Sequence, residues 1–514
     1  MLPLPHANVL VLGLGSSGLA MARWCARQGA QVTVADTRAA PPQLAALHAA
    51  LPAARFVHAA LDAGLLQSVR PTLLLKSPGL APAQVAPLLQ AAHAAGTPVG
   101  AELDLFAQAL AELRDARAYR PQVLAVTGTN GKTTVASLTA RLVERAGKRV
   151  ALAGNIGPTL LDTLARLLDE GDLPEVWVIE LSSFQLADMA PGSAPAGQPP
   201  AGFEPTAACV LNLSQDHLDW HGDMAAYASA KARIFGSQAL LVLNRDDAAV
   251  MAMLPAPAKG RAARISTSVG SGVPTQPGAF GIERVHGMTW LVRAQEHDPT
   301  VKLRKGQAPE ALHLLRLMPA EALRIRGQHN ALNALSALAL AAAAGCALAP
   351  MLYGLREYRG EPHRVESIGL IDGVEYFDDS KGTNVGATAA ALAGLGAERK
   401  LVPILGGDGK GQDFAPLAEP VRRHARAVVL IGRDAPLIRA ALADTGVALL
   451  DARDMDDAVA RARAQAHAGD AVLLSPACAS FDMFDDYAHR ARAFVQAVQA
   501  LALEQGQPIE GSAI

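Results

Sequence analysis

The sequence of 514 residues predicts an α/β protein of three consecutive domains, and two observations lead there. Short Val/Leu/Ile/Ala runs alternate with alanine-rich helical stretches along the chain, the pattern of parallel sheets covered by helices. Glycine- or serine-rich loops follow several of those runs, as at residues 13–18, 128–131, 406–409 and 475–480. Such loops lie at the carboxyl ends of strands, where an open sheet binds its ligands.

The first α/β pattern opens with Asn8-Val-Leu-Val-Leu12 and continues to about residue 100, giving a domain over residues 1–105. A second, 106–360, carries the loop at 128–131 and a helix from Asn330 through Leu340. The third, 361–514, has strands around Tyr376, Leu401, Val428, Val447 and Val472. Two stretches read as surface insertions, mobile and dispensable for chemistry. Ala190 to Pro205 is dense in Pro, Gly and Ala, and His297 to Pro309 is charged without apolar period.

Charged residues make up 18% of the chain and the net charge is −2, so no global basic field attracts nucleic acid or an anionic membrane. Cys25, Cys209, Cys346 and Cys478 are scattered, without the spacing of a disulfide framework or a zinc site. Met1-Leu-Pro-Leu-Pro-His has no basic region ahead of its apolar stretch, and no run approaches the ~20 apolar residues of a spanning helix. These features predict a cytoplasmic protein acting on small molecules, without nucleic-acid or membrane partner, and a monomer.

The most informative segment is Val123-Leu-Ala-Val-Thr-Gly-Thr-Asn-Gly-Lys-Thr-Thr134. An apolar strand breaks into a glycine loop closed by Lys132 and Thr133, the chemistry of a phosphate cradle: backbone N–H groups converge on an anion, the lysine reaches terminal phosphates, and a hydroxyl ligates Mg²⁺. Val126 replaces the first glycine of the strict P-loop pattern, so this is a shorter variant. Val135, Leu138, Leu142 and Val143 follow at helical spacing and Gly147 supplies a stop, which places Lys132 and Thr133 at a helix N-terminus.

The N-terminal unit reads Gly13-Leu-Gly15-Ser-Ser-Gly18 after a strand, with Asp36 closing the next strand. That is a Rossmann-like fingerprint, and it suits NAD, FAD, any other nucleotide with a diphosphate and ribose, or a purely structural turn. Ser77-Pro-Gly79 falls at the same sheet edge. In the central unit Glu180 ends the strand Val176-Trp-Val-Ile, and Asp216-His217 follows the strand Ala208–Asn212. Thr133, Glu180 and His217 can therefore share one pocket as ligands for Mg²⁺. Asn155 reads as a turn residue and Lys231 as a solvated helix lysine. In the third unit Arg364, Lys381 and Lys410 are candidate anion ligands.

With these pieces assembled, the chain resembles the Mur ligases of bacterial cell-wall synthesis. Gly128 to Thr134, Gly154-Asn-Ile-Gly157, Glu180-Leu-Ser-Ser-Phe-Gln185, Asp216-His-Leu-Asp219, Gly327-Gln-His-Asn330, Pro362-His-Arg364, Asp379-Ser-Lys381 and Ser475-Pro-Ala-Cys-Ala-Ser480 carry the resemblance in order. It implies a Rossmann-like N-terminal domain, a central P-loop ATPase-like parallel sheet and a Rossmann-like C-terminal domain. It also implies ATP-dependent joining of D-glutamate to UDP-N-acetylmuramoyl-L-alanine through an acyl phosphate, in peptidoglycan precursor synthesis.

By the same resemblance Gly128, Thr129, Asn130, Gly131, Lys132, Thr133, Thr134, Asn330, Asn333, Arg364, Asp379 and Lys381 receive ATP. Ser16, Ser17, Asp36, Thr37, Arg38, Ser77, Asn155 and His217 hold the UDP-sugar in place of NAD. Thr383, Lys410, Ser480 and Tyr487 form the D-glutamate pocket, with Tyr487 standing where the family often has phenylalanine. Lys231 takes the position of a lysine carbamylated by CO₂. Thr133 and Glu180 would hold one Mg²⁺, and His217 with modified Lys231 a second; Lys132, Glu180, His217 and Lys231 are the expected catalytic set.

Overall fold

The structure is a computed structural model in which residues 4–190, 202–255, 264–296, 312–397 and 399–507 are described. The insertion at 297–309 and most of that at 190–205 lie outside these residues. Three sheets follow one another along the chain. The first holds β1 (Asn8–Leu12), β2 (Gln31–Asp36), β3 (Arg55–His58), β4 (Leu73–Lys76) and β5 (Val99–Gly100), all parallel, in the order β3-β2-β1-β4-β5. Val9 to Leu12 are fully buried, as a strand covered on both faces requires.

The central sheet contains β6 (Gln122–Thr127), β7 (Val150–Gly154), β8 (Val176–Glu180), β9 (Ala207–Val210), β10 (Leu240–Asn244), β11 (Ser266–Val269), β12 (Phe280–Val285), β13 (Met288–Gln295) and β14 (His313–Pro319). Their order is β14-β13-β12-β11-β10-β9-β6-β8-β7. It is not parallel throughout, because β12, β13 and β14 are antiparallel neighbours. The reason is local: His286 and Gly287 both have positive φ (51° and 79°), the two-residue turn that folds one strand back on the last.

The third sheet holds β15 (Glu366–Ile371), β16 (Val374–Asp378), β17 (Leu401–Gly406), β18 (Ala427–Ile431), β19 (Ala448–Asp451) and β20 (Ala471–Leu474), ordered β15-β16-β20-β17-β18-β19. Only β15 is antiparallel. All four cysteines are free and buried, and no described helix is long and apolar enough to cross a membrane.

The junctions between sheets differ in kind. One apolar cluster runs from Val9, Trp24 and Phe106 to Leu160, Trp177 and Leu241, so the first two sheets share a core. The helix Glu102–Arg117, which crosses residue 105, packs Phe106 edge-on against Trp177 at 5.0 Å. Among the described residues no apolar cluster joins the third sheet to the central one. They meet through hydrogen bonds and a close approach of Gly394 to Gly327.

Candidate functional site

β6 ends at Thr127, the loop Gly128–Gly131 follows, and the helix Lys132–Arg145 begins at once. Gly131 has φ +83°, and a Cβ there would meet Asn333 Oδ1 at 2.7 Å, so both backbone and space demand glycine. Neighbouring strands hold the loop in shape. Asn212, after β9, accepts the Asn130 N–H on Oδ1 (2.8 Å) and the Thr129 N–H on its carbonyl (2.9 Å), while Thr129 Oγ1 meets Tyr227 OH at 3.1 Å. Lys132 Nζ lies over the loop, donating to the carbonyls of Gly128 (2.9 Å) and Thr129 (2.8 Å). Burial lowers its pKa against the pull of Glu180, so this cation lacks an anionic partner of its own.

Glu180, at the end of β8, is 1% exposed. Its Oε1 accepts from Asn155 Nδ2 at 2.7 Å, but Oε2 is buried and has no hydrogen-bond partner. A buried, unpartnered carboxylate oxygen is costly unless something cationic meets it. Burial lowers the pKa of His217, so its imidazole is neutral and able to ligate. Thr133 Oγ1 accepts from Arg364 Nη2 at 2.5 Å. A hydroxyl, a free carboxylate oxygen and a neutral imidazole fit a divalent cation.

Lys231 is not the solvated lysine its spacing suggests. It is 1% exposed, donates to Gly128 O (2.8 Å) and Thr127 Oγ1 (3.3 Å), and its Nζ sits 4.7 Å from the Tyr227 ring centre. The helix Met224–Ala232 turns this face inward, because Tyr227 and Ala230 are buried beside it. Burial first, then Lys132, pushes its pKa well below the usual lysine range. The neutral amine is favoured, and a neutral amine is what CO₂ carbamylates.

A cavity of about 300 Å³ lies between the phosphate loop, the helix Gln328–Ala343 and the third sheet. Asn130, Gly131, Thr134, Asn330, Asn333, Arg364, Asp379 and Lys381 all line it, so residues far apart in sequence meet there. Arg364 is aimed into it by two left-handed neighbours, His363 (φ 63°) and Val365 (φ 52°). His363 Nδ1 lies 2.7 Å from Asp378. Burial raises Asp379 to about 7, while burial and then Arg364 bring Lys381 down to about 8. A larger cleft, about 740 Å³, lies at the opposite ends of β6 to β8 and contains none of these residues.

The remaining candidates fall on two sides. Lys381 Nζ sits 3.7 Å from the Tyr487 ring centre, Thr383 N–H donates to Lys381 O, Ser480 is buried, and the Lys410 charge acts on His217. In the first domain Ser16 and Ser17 open the helix Ser16–Arg27, and Thr37 is exposed. Gly18 is forced, since a Cβ there would lie 2.0 Å from Gly13 O. Ser77 Oγ donates to Gly13 O at 2.9 Å. Asp36 is committed internally: it accepts from Leu14 N (2.8 Å), Arg38 N (2.9 Å) and the Arg38 guanidinium, and although burial opposes them these donors hold it at about 2. It braces Arg38 and has little left for a ribose, against the dinucleotide reading.

Residues 7–101 match the family description "Mur ligase MurD-like, N-terminal domain", 126–341 "Mur ligase middle domain" and 363–478 "Mur ligase, glutamate ligase domain". The chain belongs to the Mur ligase family. It is 64% identical to a UDP-N-acetylmuramoylalanine–D-glutamate ligase of Albidiferax ferrireducens, covering 99% of both chains. Identity is 56% to the protein of that name in a Polaromonas species (98% of this chain, 99% of that one) and 55% in Ralstonia nicotianae (97% and 98%). Among solved structures, UDP-N-acetylmuramate-alanine ligase MurC of Thermotoga maritima superposes with a TM-score of 0.54 at 19% identity, covering 96% of this chain and 100% of that one. The MurF ligase of Thermotoga maritima in complex with ADP gives 0.55 at 15%, covering 98% of each. These two carry the fold.

As a Mur ligase the chain shows polar residues that its motifs alone left unassigned. Arg490, 1% exposed, bonds Ser380 O (2.8 Å), Ser380 Oγ (3.0 Å) and Cys478 O (3.1 Å), clamping the two C-terminal loops together. Glu102 accepts from Leu161 N at 3.2 Å and bonds Ser17, linking the first two domains. Lys76 pairs with Asp188 at 2.6 Å across the same junction. Lys76 and Glu102 show in the sequence only as charges beside apolar runs, and Arg490 is one of several charges around it, so none of them names its partner.

Proposed function

We propose that this Mur ligase uses ATP to join D-glutamate to UDP-N-acetylmuramoyl-L-alanine, forming ADP and phosphate. The observation that carries the reading is that Arg364 and Lys381 line one cavity with the phosphate loop, near enough to Lys132 and to Glu180, one oxygen of which is unpartnered, for both charges to act on Lys381. Three cations in one cleft suit a triphosphate and the charge that develops as its terminal group is transferred. The choice of amino acid follows the names of the relatives above and the placement of Lys410, Thr383, Ser480 and Tyr487.

In this reading an oxygen of the alanyl carboxylate attacks the γ-phosphorus of ATP, the bond to ADP breaks, and an acyl phosphate results. The amine of D-glutamate then attacks the acyl carbon; the carbon–oxygen bond to phosphate breaks and the amine loses a proton. Lys132, Arg364 and Lys381 bind phosphate oxygens, while Asn330 and Asn333 line the rest of the nucleotide cavity. Ser16, Ser17, Thr37, Arg38, Ser77 and Asn155 orient the UDP-sugar. Mg²⁺, expected as two ions on Thr133, Glu180, His217 and carbamylated Lys231, supplies charge that lets a carboxylate approach a triphosphate. The C-terminal domain excludes water from the acyl phosphate by closing on the loop.

We read the extents as 1–105 for the UDP-sugar domain, 106–360 for the ATP domain and 361–514 for the amino-acid domain, and the protein as a cytoplasmic monomer. Three separate sheets support the first, and four free, buried cysteines fit the reducing compartment of the second. Phosphate release from ATP and UDP-N-acetylmuramoyl-L-alanine, assayed with a panel of amino acids, tests the function. D-glutamate should stimulate it; greater stimulation by any other amino acid overturns the substrate assignment.

A further inference from the structure

Asn384 stands at the N-cap of the helix Val385–Leu395, where its Oδ1 accepts the Ala387 N–H at 2.9 Å. Capping uses one of the four hydrogen-bonding positions of an amide. The other three are directed across the domain junction. Oδ1 also accepts from Asn130 Nδ2 (3.2 Å), and Nδ2 donates to Asn130 Oδ1 (3.0 Å) and to Asp216 Oδ2 (3.3 Å). Asn384 is 5% exposed, so water does not compete freely for these bonds.

Both partners belong to the central site. Asn130 lies in the phosphate loop, and Asp216 precedes His217, whose N–H it accepts at 3.0 Å. On its own side Asn384 directly follows Thr383 and ends the loop that carries Lys381. The approach is close. A Cβ on Gly386 would come within 2.5 Å of Ser214 Oγ. No apolar cluster among the described residues bridges this junction, so polar contacts set the docked position together with the close approach of Gly394 to Gly327 and His329.

We infer that Asn384 is a positioning residue: its side-chain amide latches the C-terminal domain onto the phosphate loop and Asp216, holding Lys381 and Thr383 over the reacting groups. The inference rests on the ligase reading above for its catalytic consequence, but not for the latch itself.

Substitution separates the latch from the cap. Asp and Ser cap helices as well as Asn does, yet Ser cannot span the junction and Asp sets a carboxylate against Asp216. Asn384→Ser and Asn384→Asp should therefore keep the wild-type melting temperature while kcat/KM for the amino acid falls about tenfold for Ser and further for Asp. Small-angle scattering should show a larger radius of gyration for both variants than for the wild type, with and without ATP. Wild-type turnover and radius in both variants overturn the latch. A wild-type protein that forms no amide overturns the ligase reading instead, and the radii still decide the latch.

Discussion

At Lys231 an amine is kept from water, with a hydroxyl, a carbonyl and the Tyr227 ring beside it but no anion paired with it among the described residues. Desolvation disfavours the ammonium, and Lys132 nearby disfavours it further. Conversion to a carbamate replaces a buried positive charge with anionic oxygens beside Lys132, which relieves both costs. Lys231→Ala should lower kcat about 100-fold or more, the scale of losing a group that sets charge at a reacting centre. Acetate or another short carboxylic acid should restore part of it, since the side chain leaves space beside Thr127 and Gly128. Turnover measured with and without the acid checks this, and absence of rescue removes the carbamate. Burial at this position was not legible in Tyr227-Ala-Ser-Ala-Lys231, where alanine and serine give little contrast between helix faces. By comparison Gly131 and Lys132 were legible, because a glycine with φ +83° and a helix-starting lysine are local requirements.

Elements were legible where the chain carries its own punctuation. Buried strands such as β6 and β17 are unbroken apolar runs ended by a glycine loop, and the helix Lys132–Arg145 shows its inward stripe and its stop at Gly147. β12 to β14 were not, since an antiparallel extension depends on a turn at His286-Gly287 embedded in a polar region. Nor does a sequence state what an element's tip must approach. The helix Val385–Leu395 has glycine at its second position, where alanine is the better helix former by about 0.5–1 kcal/mol. A Cβ on Gly386 would lie 2.5 Å from Ser214 Oγ, so the Ser214 side chain or the domain itself must shift to admit it. Gly386→Ala should therefore leave the melting temperature unchanged or raise it, yet reduce kcat several-fold by wedging the C-terminal domain off the phosphate loop. Paired melting and turnover measurements separate the two effects, and unchanged turnover would show that Ser214 simply moves aside.

At the scale of the molecule the two junctions divide the work. The first two domains share an apolar core and act as one body, while the third docks through Asn384, Arg364 and their partners. Periodicity in the sequence marks which residues are buried but not against which domain, so this asymmetry emerged only in three dimensions. It also places ionisable groups in unusual surroundings. Glu102 is 2% exposed between the first two domains, and burial raises its pKa to about 7 although Leu161 and Ser17 donate to it. Unfolded, it would release its proton near the usual ~4.3. Between those values unfolding sheds a proton that the folded protein retains. Stability from this group is thus highest below the unfolded pKa and declines as pH rises to about 7. Asp379, raised to about 7, and Asp188, raised to about 6, act in the same direction. Burial lowers His221 and His329 to about 4, and these act in the opposite direction as pH rises through the usual ~6.5 of histidine, so the Glu102 contribution is read by comparing a variant with the wild type. Glu102→Gln has no proton to lose and keeps an oxygen for the Leu161 N–H, so its melting temperature relative to the wild type should climb between pH 5.5 and pH 7.5 and lie above it at pH 7.5. Parallel curves for the two proteins would place the titration elsewhere and leave Glu102 ionised within the junction.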